Sequence, residues 1–394
     1  MKYDFDKVTD RRGTNSLKWD VKENELPMWV ADMDFETAPE IKDAIISRAA
    51  HGVFGYGVIP DEWYGAYTGW WKRRHGFDMK KEGLIFCTGV IPAISSAVRK
   101  LTTPGEKVLI QTPVYNIFFN SILNNGCTVL ENPLIYKDSE YEMDLADLDK
   151  KLSDPQVSLM ILCNPQNPVG KIWDAQTLAK VGELAKKHGV TVISDEIHCD
   201  IASPGKKYVP FASVNQVNRD ISITCIAPTK AFNIAGIQTA AVYAENPFLR
   251  HKIYRALNTD EVAEPNVFAV PAAIAAFDKG EEWLDELNAY IEKNKNTVYA
   301  FLSQNLPEIR AVKSDCTYLM WLDCSRVSAS SKELCAYIRH ATGLYLSHGE
   351  QYGKSGKCFI RLNTACPNSV LTDGLSRLRN GVRSYLEHIK HSGC

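Results

Sequence analysis

Ile221-Ser222-Ile223-Thr224-Cys225-Ile226-Ala227-Pro228-Thr229-Lys230-Ala231-Phe232-Asn233-Ile234-Ala235-Gly236 decides the fold of this chain. The run Ile221 to Ile226 reads as a buried strand. A lysine follows at the strand's mouth, among small residues and ahead of a glycine. Lysine is seldom buried without a partner. One economical partner is covalent, an aldehyde held as a Schiff base. A surface lysine at a strand end is the rival reading, so the rest of the chain has to decide.

Outward from this stretch, residues 84 to 244 alternate short apolar runs with amphipathic ones. Leu84 to Cys87, Lys107 to Gln111, Ser158 to Cys163, Thr191 to Ser194 and Thr239 to Tyr243 read as further strands. Ile91 to Leu101, Asp174 to His188 and Asn246 to Leu257 read as helices. Such alternation predicts an α/β fold, a mostly parallel central sheet with helices on both faces. After about residue 281 the texture changes. A long helix (Glu281 to Gln304), strands at Tyr318 to Asp323 and Cys358 to Asn363, and helices at Ser331 to His340 and Ser369 to His388 predict a smaller α+β domain. The expected division is a large domain over 46–280 and a small one over 1–45 and 281–394.

The 394 residues are 45% hydrophobic and 23% charged, with net charge −2, an ordinary soluble composition. A near-neutral balance gives no electrostatic case for nucleic acid or an anionic membrane. No signal-peptide pattern is visible, and no apolar run nears the roughly 18 residues of a spanning helix. Eleven cysteines without a Cys-x-x-Cys pair read as reduced core thiols of a cytoplasmic protein, with no zinc site.

Parallel sheets bind ligands at the carboxyl ends of their strands. Thr88-Gly89, Asn164-Pro165, Asp195-Glu196 and Thr229-Lys230 each follow a predicted strand, so four polar groups converge on one edge. A carboxylate such as Asp195 can keep a pyridine nitrogen protonated. A helix cap or structural ion pair is an equal reading of that residue alone. Asn164-Pro165-Gln166-Asn167-Pro168-Val169-Gly170 is a double Asn-Pro turn. The Asn167 amide is placed to donate to a phenolate oxygen, although Asn and Pro also build plain turns. In Thr88-Gly89-Val90-Ile91-Pro92-Ala93 a strand runs through a glycine into a helix, and the helix N–H groups there suit a phosphate. The spacing is not Gly-x-Gly-x-x-Gly, which disfavours a dinucleotide. Gly349 to Ser355 looks like a P-loop only superficially: it is one residue short and no helix follows.

Tyr115 suits stacking on a planar ring, with a core aromatic as the alternative. Arg361, inside an apolar strand, suits a substrate carboxylate, with a buried salt bridge as the alternative. Phe54-Gly55-Tyr56-Gly57 is a glycine-flanked loop, read as a mobile or subunit-crossing contact or as a plain turn. Anion loop, stacking tyrosine, Asn turn, aspartate and lysine occur in that order, and together they point to pyridoxal 5'-phosphate (PLP).

At this point the chain resembles fold-type I PLP enzymes of the class I/II aminotransferase superfamily over essentially its full length. Within it the chain is similar to the MalY/PatB group of carbon–sulfur lyases, or cystathionine β-lyases. Pro27-Met28-Trp29-Val30-Ala31-Asp32-Met33-Asp34-Phe35 carries that likeness most strongly, with Asp195-Glu196-Ile197-His198 and the Lys230 stretch in agreement. The resemblance implies roles. Lys230 would be the Schiff-base lysine and proton shuttle. Asp195 would hold the pyridinium, Asn167 the phenolate oxygen and also the substrate. Gly89, Val90, Ile91 and Thr229 would hold the phosphate, and Tyr115 would stack on the ring. Arg361 and Ala31 would bind substrate. Tyr56 would act in the neighbouring subunit's site, which implies a homodimer. Gln238 and His198 stand where many aminotransferases carry arginine and tyrosine; His198 is read as cofactor-binding or as a structural histidine.

The implied reaction is α,β-elimination from L-cystathionine, L-cysteine or related S-substituted cysteines, giving a thiol, pyruvate and ammonia. It would serve methionine biosynthesis or cysteine degradation. An aminotransferase shares these motifs and is the alternative. A regulator that binds another protein, with lyase activity secondary, is a third reading.

Overall fold

Alternating side chains build the central sheet. Val108 and Ile110 enter one core while Leu109 enters another, and Leu159 and Ile161 part from Met160 and Leu162 in the same way. A sheet buried on both faces needs near-continuous apolar strands, which is why these runs were legible. The computed structural model describes residues 2–392. Its main sheet has seven strands, in the order Leu84–Cys87, Ala240–Tyr243, Ser222–Ile226, Thr191–Asp195, Val157–Cys163, Lys107–Ile110 and Thr128–Glu131. Ala240–Tyr243 runs antiparallel to both neighbours, and the other neighbouring pairs are parallel.

Helices Val90–Leu101 and Pro247–Thr259 contribute to the core on one face. Leu145–Leu152 and Ala175–Lys187 contribute to the other. Asp174 caps the latter helix, its side chain accepting from the Thr177 N–H at 2.6 Å. This bears out the expected α/β architecture. The sequence reading passed over the edge strand Thr128–Glu131, the hairpin Ile135–Lys137 with Glu140–Glu142, and helices Pro39–Ala50, Asp61–His75 and Ala269–Lys279.

A second sheet of four strands orders Arg310–Ala311, Leu319–Asp323, Phe359–Asn363 and Ser347–His348. Met320, Leu322, Ile360 and Leu362 of that sheet share a core with Val298, Leu302, Ile338 and Leu378 from three helices. The N-terminal segment joins it: Leu26–Pro27 pairs in parallel with Leu344–Tyr345. The P-loop-like stretch forms two short 3-10 turns, Gly349–Tyr352 and Lys354–Gly356. Ten cysteines lie among the described residues, all free, and only Cys358 is less than buried.

Candidate active site

The strand ends converge as expected. Asp195 is the last residue of its strand, and Asn164 follows the neighbouring one and donates its N–H to the Asp195 carbonyl at 2.9 Å. The Asn-Pro turn closes at Gly170, whose φ of 71° is a left-handed conformation. A side chain there would also strike Ser314 Oγ, 2.5 Å from the added Cβ. The turn thus delivers Asn167, only 3% exposed, to the end of the sheet.

A cavity of about 200 Å³ opens there. Gly89, Val90, Ile91, Tyr115, Asn167 and Asp195 line it, and so do His198, Thr229, Lys230 and Ala31. Four larger hollows, of about 480, 540, 260 and 270 Å³, lie elsewhere and contain none of these groups. One of them holds His75, Cys199 and Asp200 close together, but Asp200 Oδ1 is already taken by the N–H groups of Trp70 and His75, both at 2.9 Å.

Charge in the cavity is poised rather than neutralised. Asp195 Oδ1 accepts from the Ile197 N–H at 3.1 Å, and burial pushes its carboxyl up to about 7. Among the described residues no cation pairs with it. Lys230 is driven down to about 8, chiefly by burial, with Asp32 acting in the opposite direction. Burial also lowers His198 to about 3, so the ring is neutral, and its buried Nδ1 has no partner among the described residues. Helix Val90–Leu101 starts at Gly89 without a side-chain cap, leaving its first N–H groups free for an anion. A buried carboxylate lacking a cation, an uncapped helix start, an orphan histidine nitrogen and an amine of lowered basicity are what PLP would satisfy. The residues present fit that cofactor.

Arg361 comes from the second sheet. Its Nη1 donates to Asn167 Oδ1 at 3.2 Å, its Nη2 to the Trp29 carbonyl at 2.9 Å, and the guanidinium lies over the Tyr352 ring at 4.9 Å. Its Nε is buried without a partner among the described residues, so one donor of the guanidinium is unused. Tyr56 is not brought to this cavity: it is fully exposed in a loop with Val53, Phe54 and Val58 also exposed.

Sequence reasoning missed how residues 28–35 are strapped over the site. Asn363 Nδ2 donates to the carbonyls of Val30 and Asp32, both at 2.6 Å, and Ser347 Oγ to that of Trp29 at 3.0 Å. Lys230 Nζ and the Tyr318 hydroxyl both donate to the Ala31 carbonyl, at 2.5 and 3.0 Å. The only sequence signal was that Asn363 and Tyr318 are polar groups next to apolar runs.

Residues 24–378 match the family Aminotransferase class I and II. The chain is 45% identical to cystathionine beta-lyase PatB of Bacillus subtilis (strain 168), over 95% of this chain and 98% of that one. It belongs to this family, in the group of PatB and MalY. Protein MalY of Escherichia coli (strain K12) is 33% identical over 97% of this chain and 99% of its own. Among solved structures, cystalysin from Treponema denticola, which contains PLP, superposes with a TM-score of 0.94 at 32% identity, covering 98% of this chain and 100% of its own. The fold is that of fold-type I PLP enzymes, and PLP is the cofactor the family implies.

Proposed function

We propose that this protein is a PLP-dependent carbon–sulfur β-lyase that cleaves L-cystathionine, and L-cysteine or related S-substituted cysteines, to a thiol, pyruvate and ammonia. The observation that carries this is the full-length 45% identity to a cystathionine beta-lyase, joined to a cavity that presents Lys230, Asp195 and Asn167 together. When bound, PLP would supply an electron sink for the pair left behind by the substrate α-proton.

The chain's own residues do the rest. Lys230 Nζ, lowered to about 8, is partly unprotonated near neutrality and can take the α-proton, then return it to the departing sulfur. Asp195 would keep the cofactor's ring nitrogen protonated, and that positive charge would in turn stabilise the buried carboxylate. Asn167 and the neutral His198, which line the cavity, would contact the cofactor, with the Asn167 amide donating to its phenolate oxygen. The N–H groups after Gly89, with Thr229, would hold the phosphate, and Tyr115 would stack on the ring. Arg361 receives the substrate carboxylate beside Asn167 and Ala31. The exposed Tyr56 loop fits a contact with a second copy, so Tyr56 acts in the partner's site of a homodimer.

In the same reading, residues 46–280 form the cofactor-binding domain, and 1–45 with 281–394 the small one. No helix among the described residues is long and apolar enough to cross a membrane, and we place the enzyme in the cytoplasm.

The test is repeated release of pyruvate and thiol from L-cystathionine by the PLP-loaded protein with no keto acid added. A single half-reaction that resumes only with a keto acid would make it an aminotransferase instead.

A further inference from the structure

The Ala31 carbonyl is a shared acceptor inside the protein. Lys230 Nζ donates to it at 2.5 Å and the Tyr318 hydroxyl at 3.0 Å. Tyr318 is fully buried, and burial lifts its hydroxyl far above the ordinary phenol range, so it remains a donor. Its own carbonyl is fixed by the Thr364 N–H at 2.8 Å and the Thr364 hydroxyl at 3.0 Å. The carbonyls on either side, of Val30 and Asp32, bond to Asn363 instead.

This arrangement answers a physical need. A desolvated ammonium must find an acceptor. The charged and titratable groups around Lys230 are Asp32, Asp195, Arg361 and His198, with the hydroxyls of Tyr115 and Tyr318 nearby. Asp32 is already paired with Arg11 at 2.7 Å. Asp195 is reserved for the cofactor, and Arg361 repels. The neutral Ala31 carbonyl is the acceptor in reach.

We infer that the Ala31 carbonyl, aimed by the Tyr318 hydroxyl, is the docking point of the Lys230 ammonium whenever that amine is free, and that Tyr318 is a positioning residue for it. The inference rests on Lys230 being the proton carrier. When Nζ takes the α-proton, one C–H bond breaks and one N–H bond forms. Docking adds only a hydrogen bond, and the same proton leaves later to the sulfur. The carbonyl holds the loaded ammonium without competing for its proton.

The test is Tyr318→Phe, which keeps the ring and its packing. In cofactor-free protein, acetylation of Lys230 is followed across pH by peptide mass spectrometry. The wild-type midpoint should fall near 8. In Tyr318→Phe it should drop by about half a unit to one unit, the loss of part of a charged hydrogen bond. In the loaded enzyme kcat should fall about tenfold with KM within about twofold, the pattern of a group that acts after binding. An unmoved midpoint in a folded variant, shown by an unchanged melting temperature, overturns the inference whatever the turnover. The midpoint needs neither cofactor nor substrate. A wild type without lyase turnover therefore defeats the proposed reaction and leaves the docking point to stand or fall on its own.

Discussion

Asn233 grips the backbone of Met33 from both sides. Its Oδ1 accepts from the Met33 N–H at 3.0 Å, and its Nδ2 donates to the Met33 carbonyl at 3.0 Å and the Phe35 carbonyl at 2.8 Å. Asn233 does this from a left-handed backbone with φ of 55°, three residues beyond Lys230. Asparagine tolerates that conformation better than most residues. Asn233→Ala removes three hydrogen bonds and strains the turn, and should cost about 2–4 kcal/mol in urea unfolding. Asn233→Gly should recover the backbone part only. Equal stability of all three proteins would show that the grip contributes nothing.

Lys230→Ala should fold and still bind PLP, because the phosphate and ring contacts remain. Borohydride treatment should then leave no covalent cofactor on the chain, as read by intact mass. Turnover should fall at least about a thousandfold, the scale of losing a general base and covalent anchor together.

Arg361→Ala should weaken the amino acid and spare the cofactor. One charge-assisted hydrogen bond is worth about 1.5–3 kcal/mol, so KM should rise roughly 10- to 100-fold. Arg361→Lys should rescue little, because a lysine lacks the planar fork that reaches Asn167, Trp29 and a carboxylate at once. PLP absorbance titration checks that cofactor affinity is unchanged.

In cofactor-free protein Asp195 titrates near 7 instead of 3.8. The folded state then holds a proton that the unfolded state has released, so this residue's contribution to stability falls as pH rises from about 4 to about 7. Asp195→Asn removes that slope. The variant should match the wild type near pH 4 and exceed it near pH 7, by on the order of a few kcal/mol. Urea unfolding at both pH values gives the answer, and parallel curves would place Asp195 in contact with a cation instead.

Tyr56 offers a test of shared sites. Lys230→Ala and Tyr56→Ala chains, each inactive or weak alone, should regain activity when refolded together. In a mixed dimer one site would hold both intact residues, so recovery should approach about a quarter of wild-type activity for random pairing. No recovery would confine Tyr56 to its own chain.

Legibility in the sequence followed locality. The strands around Asp195 and Cys163 were readable because both faces are buried and, Ser158, Thr191, Ser194 and Asp195 apart, their positions are apolar. Thr128–Glu131 was not, since its edge position leaves it exposed or half-buried throughout and it ends in a glutamate. Helix Asp61–His75 hid behind four large aromatics that are all buried, Trp63, Tyr67, Trp70 and Trp71, in a stretch without clean polar alternation. Lys230, Asp195 and Asn167 stood out because each is polar at a strand end. Asn233, Asn363 and Tyr318 did not, because they act on backbone carbonyls some 200, 330 and 290 residues away. No local pattern encodes such a contact. Tyr56 was legible only as part of a glycine-flanked loop, and it lies exposed, away from its own chain's cavity.

The alternation in the strap has a geometric corollary. The carbonyls of Trp29 and Ala31 go to Arg361 and Lys230, while those of Val30 and Asp32 go to Asn363. Two residues of main chain span no more than about 7 Å. The backbone thereby works as a ruler that spaces the Arg361 guanidinium from the Lys230 amine. Its graduations are peptide units, indifferent to which side chain decorates them. Exchanging Val30 for another apolar residue leaves that spacing intact, whereas inserting or deleting one residue there would reverse every carbonyl beyond it and mis-set the distance between Arg361 and Lys230.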